Sequence, residues 1–261
     1  MIMQNKLAEI ELTENELVYH LTQHAVKCKQ TELSLCGISP ELNHRILDAG
    51  CGTGTFSILL AESGNCVIGI DISAKALSIA RQRAEEENVT FLPIVADLEC
   101  LPFGNNLFDV IFCANILHHF RDISSVINQL ANTLKPGGTF TIIEHNGSNL
   151  LVRVSRIATR VLRRIWPLLA DKSTGNIEVH THTEYYSHLD KHMITDISCM
   201  SLYHGRPPNE DLLIDKYALH SRCLWHFLNT LYCTGTFIFN KVLPQPYCGN
   251  ILILTGVKHS S

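Results

Sequence analysis

The chain has 261 residues, of which 46% are hydrophobic and 18% are charged. This composition is typical of a packed globular protein and excludes a largely disordered chain. The length suits one large α/β domain or one domain that carries a sizeable insertion. The formal net charge of -4 excludes a global field that would draw the protein onto nucleic acid or anionic lipid, so any such attraction has to be local.

The N-terminus and the cysteines both favour an intracellular protein. Glu9, Glu11, Glu14 and Glu16 interrupt the first residues, so we expect no signal peptide. The ten cysteines are scattered and form no C-x-x-C pair, as is typical of reduced thiols. We therefore expect a cytoplasmic protein.

Between residues 46 and 145, short apolar runs alternate with helical patterns, which predicts a doubly wound, mostly parallel α/β sheet. The predicted strands are 46–50, 66–72, 89–96, 108–114 and 139–145, and the predicted helices are 55–63, 74–88 and 123–134. Pro136-Gly137-Gly138 is expected to end the third helix and turn the chain into the fifth strand. Ile251-Leu252-Ile253-Leu254 predicts a final buried strand, and residues 1–44 read as a polar helical cap.

The strongest signal is the run Ile46-Leu47-Asp48-Ala49-Gly50-Cys51-Gly52-Thr53-Gly54, which predicts a strand, a glycine turn and a helix N-terminus. Glycines let the backbone approach a ligand closely, and the helix start offers free N–H groups. A dinucleotide fingerprint would need glycine at position 55, where this chain has Thr55. Because the carboxylate of Asp48 suits a cationic ligand and would repel a pyrophosphate, NAD is disfavoured.

Two further aspartates follow predicted strands. Asp71 ends the second strand, 21 residues after Gly50, where an acidic residue grips ribose hydroxyls. Asp97 ends the third strand, where its side chain and the next N–H could contact an adenine edge. Either aspartate alone could be a turn former, but three strand ends in register predict one nucleotide-like site.

The segments L-D-A-G-C-G-T-G, G-I-D-I-S, A-D-L-E-C-L-P-F, F-D-V-I-F-C-A-N-I-L-H-H and L-K-P-G-G resemble, in order and spacing, class I S-adenosylmethionine-dependent methyltransferases related to the ubiquinone/menaquinone enzymes. The resemblance covers about residues 44–145. It implies S-adenosylmethionine as cofactor, S-adenosylhomocysteine as product, and a methyl transfer. The cofactor-binding residues that it implies are Asp48, Gly50, Gly52 and Gly54 around the methionine part, Asp71 with Ile72 at the ribose, Asp97 with Leu98 at the adenine, and Ala114 at the amino acid end.

Methyl transfer from a sulfonium is an in-line displacement, so an enzyme can work by orienting its reactants and needs no base. If a base is used, His118 and His119 are the catalytic candidates, because they follow the fourth strand at its carboxyl end. The alternative is that they pack or orient a loop. On position alone, His145 is an equally good pocket residue.

Two features beyond the core are also informative. A histidine-rich tract is formed by His180, His182, Glu184, His188 and His192. The metal-binding motif H-E-x-x-H is absent, so solvated or substrate-facing histidines are favoured over a metal site.

Residues 150–169 are predicted to form an amphipathic helix. Its polar face could bind an anionic group or a membrane surface, or simply be solvated. The arginines of that face are Arg153, Arg156, Arg160, Arg163 and Arg164.

We divide the chain into a cap (1–44), a cofactor-binding core (45–146) and a C-terminal half (147–261) that completes the sheet and forms the acceptor pocket. The apolar stretch Cys223 to Val242 is too interrupted to span a membrane and could wall that pocket. The leading hypothesis is methylation of a small, lipophilic acceptor. The alternatives are a nucleic-acid methyltransferase, disfavoured by the net charge, and a non-catalytic protein that keeps the fold. The acceptor atom and the oligomeric state stay open.

Overall fold

A computed structural model describes residues 23–38, 43–150, 153–154, 179–202 and 244–259. In these ranges the helices are α1 Gln23–Leu35, α2 Thr55–Glu62, α3 Ala74–Glu86, α4 Ile123–Thr133 and α5 His182–Asp190, with a 3-10 turn at Leu117–His119. The strands are β1 Arg45–Ala49, β2 Cys66–Asp71, β3 Leu92–Val95, β4 Phe108–Ala114, β5 Leu134–His145, β6 Ile194–Leu202 and β7 Ile251–Lys258.

The seven strands form one sheet in the order β3-β2-β1-β4-β5-β7-β6. The first five are parallel, whereas β7 pairs antiparallel with both β5 and β6. The order reverses at β1, so the chain crosses the sheet on both faces, as a doubly wound fold requires. The sequence-based fold class and the final strand are therefore confirmed.

Alternating side chains of the strands build a core on each face of the sheet. Along β4, Val110 and Phe112 belong to the cluster that includes residues of α2 and α3, and Ile111 and Cys113 belong to the cluster with α4 and α5. The four residues are at most 2% exposed. Burial of the parallel strands on both faces explains their near-continuous apolar sequences.

The sequence interpretation of Pro136-Gly137-Gly138 is wrong in one respect. These residues lie within β5, which already pairs with β4 at Phe108 and Leu134. The register shifts before Val110 pairs with Thr139, so the three residues form an irregularity inside the strand rather than a turn that precedes it.

Two C-terminal elements were not predicted as such, namely α5 and β6. Helix α5 begins with a capping box, in which the Thr181 hydroxyl accepts from the Glu184 N–H and the Glu184 carboxylate accepts from the Thr181 N–H. Strand β6 forms the sheet edge beside β7. Of the predicted N-terminal cap, α1 lies in the described residues and residues 1–22 lie outside them.

None of the helices in the described part of the chain is long and apolar enough to cross a membrane. The eight cysteines that fall in this part are free thiols. Cys223 and Cys233 lie outside it.

Candidate functional site

The predicted cofactor residues gather at the carboxyl edge of the parallel strands. Ala49 at the end of β1 pairs with Ile70 of β2 on one side and Cys113 of β4 on the other. The N–H groups of Gly50 and Cys51 both donate to the Ile70 carbonyl, at 2.8 and 2.9 Å. The glycine turn is thereby fixed between β2 and β4, where doubly wound folds bind their ligands.

The three glycines of this turn have different surroundings. Gly50, Gly52 and Gly54 all have positive φ, at 75°, 53° and 77°, which side-chain-bearing residues rarely adopt. A Cβ at Gly54 would lie 2.8 Å from the Cβ of Ala80, whereas a Cβ at Gly52 would meet nothing within 4 Å. Gly54 therefore permits close packing of α3 on the turn, and Gly52 borders open space that a ligand could fill.

Asp71, the last residue of β2, is hydrogen-bonded to this turn. Its Oδ2 accepts from the Gly52 N–H at 2.9 Å, and its Oδ1 accepts from the Ser73 N–H at 2.8 Å. Burial raises the pKa of Asp71, although the N–H groups of Ser73, Gly52 and Ile72 oppose that rise. The carboxylate expected at the ribose is thus beside the open glycine, and its ribose contact stays a prediction.

Asp97 and Leu98 continue the site beyond β3. Val95 pairs with Asp71, and the Ala96 N–H donates to the Asp71 carbonyl at 3.1 Å. The Asp97 Oδ1 accepts from the Glu99 N–H at 3.0 Å, which fixes a tight turn, and Leu98 is buried. Asp97 therefore forms a turn at this strand end, and its contact with an adenine stays a prediction.

Asp48 lies deeper than its predicted role implies. It is 2% exposed, and the Ser57 hydroxyl donates to its Oδ2 at 2.6 Å. Burial raises its pKa to about 6, against the opposing effects of Ser57 and Lys29. Asp48 is thus held by Ser57 of α2, and its predicted contact with the methionine part of the cofactor stays a prediction.

Lys29 of α1 is a residue that the sequence analysis missed. Its Nζ lies 4.7 Å from the ring centroid of Phe56, in the range of a cation–π contact. Burial lowers the pKa of Lys29, while Glu32 and Asp48 counteract the effect. Nothing local in the polar sequence of α1 distinguishes this lysine, because Phe56 and Asp48 lie in other elements.

The turn that follows β4 covers the glycine turn. Asn115 adopts a positive φ of 55°, and its N–H donates to the Ile143 carbonyl at 2.8 Å. A Cβ at Gly50 would lie 2.8 Å from the Cβ of Ile116. Ala114, predicted at the amino acid end of the cofactor, is thus partly exposed at the same edge.

The two candidate bases differ in their surroundings. His118 is 5% exposed, whereas His119 is exposed to solvent. The ring centroid of His118 lies 4.2 Å from that of His119 and 5.3 Å from that of His145. The structure thus brings the three predicted histidines together at the ends of β4 and β5.

Glu144 holds this histidine cluster, and sequence reasoning missed it. It is fully buried, and its Oε1 accepts from the N–H groups of Ile116 and Leu117 at 2.8 and 2.6 Å. Its Oε2 lies 2.7 Å from the Nδ1 of His118. The sequence offered one signal for this role, namely an acidic residue directly after Thr141-Ile142-Ile143 in a predicted buried strand. A buried charge requires partners.

In the histidine-rich tract, His188 and His192 have the i, i+4 spacing of helical metal ligands, but they do not lie on one helix. Helix α5 ends at Asp190, so His188 is helical and His192 is not. Within the described residues, no three His, Cys, Asp or Glu side chains are placed to hold a metal ion. His182 instead lies 2.7 Å from the Ser148 hydroxyl through its Nδ1, which ties α5 to the end of β5.

Most of the predicted arginine helix lies outside the described residues. Leu150, Arg153 and Val154 are helical, and the Arg153 N–H donates to the Asn149 carbonyl at 3.1 Å. Arg156, Arg160, Arg163 and Arg164 are not described, and neither is the apolar stretch 223–242.

The sheet order, the glycine turn after β1 and the acidic end of β2 define a Rossmann-like nucleotide-binding fold. Residues 46–138 match the family described as methyltransferase domain. This part of the chain is therefore similar to methyltransferase domains.

Two curated relatives match this domain. The uncharacterized methyltransferase YcgJ of Bacillus subtilis is 34% identical over 105 residues, which cover 39% of this chain and 41% of that protein. The ubiquinone biosynthesis O-methyltransferase of Coxiella burnetii is 35% identical over 103 residues, which cover 39% of this chain and 44% of that protein. The chain thus spans less than half the length of these relatives.

Solved structures extend the similarity in fold. The YcgJ crystal structure superposes with a TM-score of 0.59 at 17% identity, covering 92% of this chain and all of that one (100%). Magnesium protoporphyrin IX methyltransferase from Synechocystis, solved with bound SAH, gives a TM-score of 0.55 at 20% identity, covering 90% of this chain and 82% of that one.

Proposed function

We propose that the protein is an S-adenosylmethionine-dependent methyltransferase that modifies a small, lipophilic acceptor. The observation that carries the proposal is the hydrogen bond from the Gly52 N–H to the Asp71 carboxylate. This bond holds the Asp71 carboxylate beside the open face of the glycine turn. The carboxylate oxygens are suited to accept hydrogen bonds from ribose hydroxyls. The SAH bound to the Synechocystis neighbour supports the same class of ligand.

The residues at this edge fit the cofactor. The open space at Gly52 accommodates the methionine part, Asp71 with Ile72 would hold the ribose, and Asp97 with Leu98 would hold the adenine. The buried carboxylate of Asp48 favours a cationic ligand. S-adenosylmethionine, when bound, supplies a methyl group on a sulfonium that is already activated for in-line displacement.

Composition and sheet topology support a small acceptor. The net charge of -4 gives no general attraction for nucleic acid. The C-terminal half returns to the sheet through β6 and β7, next to β5, so it can wall a pocket at the site. The Coxiella relative is named as a ubiquinone biosynthesis O-methyltransferase.

We also propose that the segment 150–169 docks an amphipathic acceptor or its membrane. It follows β5, whose carboxyl end carries Glu144 and His145, so it begins near the site. Its five arginines would meet anionic head groups. This proposal is independent of the cofactor assignment.

The experiment is methyl transfer from S-adenosyl-L-[methyl-³H]methionine into a cell extract that contains lipids, small molecules, nucleic acid and protein. We expect the label in molecules of low mass that partition into organic solvent. The Asp71→Ala variant is the inactive control. Label only in nucleic acid or protein would contradict the acceptor class, and no transfer at all would contradict the enzyme.

A further inference from the structure

The carboxylate of Glu144 is shared between the backbone of one turn and the ring of His118. Its Oε1 accepts two N–H groups, those of Ile116 and Leu117, and its Oε2 faces the Nδ1 of His118 at 2.7 Å. The side chains of His118 and Glu144 are 6% and 1% exposed. This is a charge-assisted contact in a site shielded from water, so it is held firmly.

The carboxylate selects the tautomer of the imidazole ring. Burial alone would raise the pKa of Glu144, but its contacts with His118 and with the Leu117 N–H lower it. An ionised carboxylate can only accept, so Nδ1 has to carry the proton. The neutral ring then presents an unprotonated Nε2, and no described residue is hydrogen-bonded to that atom.

Two of the other titratable groups around this pair, Tyr185 and Cys113, carry no charge. Burial raises the pKa of Tyr185 on α5 and of Cys113 on β4, so both stay neutral at physiological pH. His119 on the same turn and His145 on β5 are the remaining neighbours. Glu144 is thus the one ionised acid that the described residues place against the His118 ring.

The turn that carries His118 also touches the cofactor-binding turn. Ile116 packs against Gly50, and its N–H is held by the same Glu144. One carboxylate therefore fixes both the ring of His118 and the backbone that covers Gly50. The proton-accepting nitrogen is tied to the place where a methyl group would be delivered.

We propose that Glu144 is a positioning residue that holds His118 as a general base, and that the acceptor is a hydroxyl compound. This inference rests on the proposed function. As the acceptor oxygen forms its bond to the methyl carbon, the carbon–sulfur bond breaks, the electron pair stays on sulfur, and the hydroxyl proton passes to Nε2 of His118. The imidazolium so formed is stabilised by Glu144 and later releases its proton to water.

The hydroxyl class follows from where the proton must go. A hydroxyl oxygen is a weak nucleophile until its proton is removed, so it benefits from a base in the transition state. A neutral amine attacks with its lone pair and loses its proton afterwards, and a thioether has no proton to lose. Among a hydroxyl compound, a neutral amine and a thioether, the hydroxyl compound is the one that benefits from a histidine whose Nε2 accepts a proton during the attack.

The variant Glu144→Gln tests the pair without removing its volume. Because the side-chain oxygen has to accept the Ile116 and Leu117 N–H groups, the amide NH2 would face His118. Nδ1 would then accept, and the proton would move to Nε2, which destroys the base. His118→Asn keeps a donor toward Glu144 but has no Nε2.

The first readout is the tautomer of His118, measured by two-bond ¹H–¹⁵N correlation on histidine-labelled protein and assigned with His118→Asn. We expect the Nδ1-protonated form in the wild type and the Nε2-protonated form in Glu144→Gln. An Nε2-protonated His118 in the wild type would overturn the proposal, whatever the activity.

The second readout is transfer of the ³H-methyl group to phenol, catechol and 1-octanol, compared with octylamine and methyl octyl sulfide. We expect transfer to hydroxyl probes, with kcat lowered at least about 100-fold and KM unchanged in Glu144→Gln and His118→Asn. The control is the doubly substituted His259→Gln/Asp196→Asn, which removes an exposed histidine–carboxylate pair with a 2.9 Å contact at the opposite edge of the sheet.

The outcomes separate the two proposals. Absence of S-adenosylhomocysteine binding to the wild type, measured by calorimetry, contradicts the proposed function. Binding without transfer to any hydroxyl probe, or transfer only to the amine or the sulfide, contradicts the hydroxyl acceptor. An unchanged kcat in a Glu144→Gln protein whose tautomer has switched contradicts the role of the pair.

Discussion

Ile116 packs directly against Gly50, so that the turn after β4 closes over the glycine turn after β1. A Cβ at position 50 would lie 2.6 Å from the Cδ1 and 2.8 Å from the Cβ of Ile116. A side chain at position 50 therefore has no room. Its backbone would also be strained, because Gly50 has a φ of 75°. At Gly52 the φ is also positive, but the space is open.

We expect Gly50→Ala to lower mainly the stability of the fold and Gly52→Ala to lower mainly the affinity for the ligand. Gly50→Ala combines strain with overpacking and should lower the free energy of unfolding by about 2 to 4 kcal/mol. Gly52→Ala should lower it by only about 1 kcal/mol, yet weaken S-adenosylhomocysteine binding, because its methyl group enters the ligand's space. Urea unfolding and calorimetry measure the two effects. Gly137→Ala is the control, since Gly137 has a φ of 78°, open surroundings and a place in β5 away from the site. Unchanged affinity in Gly52→Ala would show that Gly52 does not border the ligand.

Asp71→Asn should weaken S-adenosylhomocysteine binding about 10- to 100-fold while the protein stays folded. The carboxylate already accepts from Gly52 and Ser73, and an amide offers one accepting oxygen instead of two. Calorimetry measures the affinity. The control is Asp109→Asn, an aspartate that also accepts a backbone N–H, that of Arg45, but at the amino end of β4. If both variants bind as the wild type does, the ribose assignment is wrong.

Asp48→Asn should stabilise the protein at neutral pH. Burial raises the pKa of Asp48 from 3.8 to about 6, so the folded state binds the proton more tightly than the unfolded state. The contribution of Asp48 to stability is therefore most favourable below the unfolded pKa and falls as pH rises through 6, to a cost of about 3 kcal/mol. The variant's advantage in urea unfolding should grow from about pH 5 to about pH 7.5.

Asp109→Asn is the control with the opposite sign. Although burial opposes the effect, the hydrogen bond from Lys135 lowers the pKa of Asp109. Its ionised form is favoured in the folded state, so the contribution is present above the unfolded pKa and lost as pH falls. An advantage of Asp48→Asn that does not vary with pH would contradict the assigned ionisation.

The arginines of segment 150–169 should promote binding to anionic vesicles. Each arginine near an anionic surface contributes roughly 1 kcal/mol, so the effect requires several together and weakens in salt. Flotation with anionic and neutral vesicles at low and high ionic strength measures it. A variant with Arg156, Arg160 and Arg163 changed to Gln should lose the binding. Equal, negligible binding under every condition would remove the membrane proposal.

The sequence predicted the central sheet because the inner parallel strands β1 and β4 are largely buried, and because a glycine follows β1 and an aspartate ends β2. Gly50 and Asp71 could be placed at one edge for this reason, since parallel strands end together. Strand β3 proved shorter than predicted, at Leu92–Val95. As the outermost parallel strand it has exposed residues, which blur its pattern.

The C-terminal elements and Glu144 lacked a local signal. Helix α5 buries only Tyr185 and Leu189, which is too little for a clear helical stripe. Strand β6 is only partly buried over most of its length and is defined by its pairing with β7, about fifty residues later in the chain. Glu144 is 26 residues from His118, so their contact depends on β4 and β5 being neighbours. Periodicity cannot report such long-range pairs.

The central claim is that this edge of the sheet binds S-adenosylmethionine and its product rather than a dinucleotide. The direct test is the melting temperature of the wild-type protein with S-adenosylhomocysteine or NAD, each confirmed by calorimetry. A ligand selective for the folded state at 100 times its Kd stabilises by about 2.7 kcal/mol. We expect the melting temperature to rise by several degrees with S-adenosylhomocysteine and to stay unchanged with NAD. No shift and no heat with saturating S-adenosylhomocysteine, or a shift with NAD alone, would contradict the account.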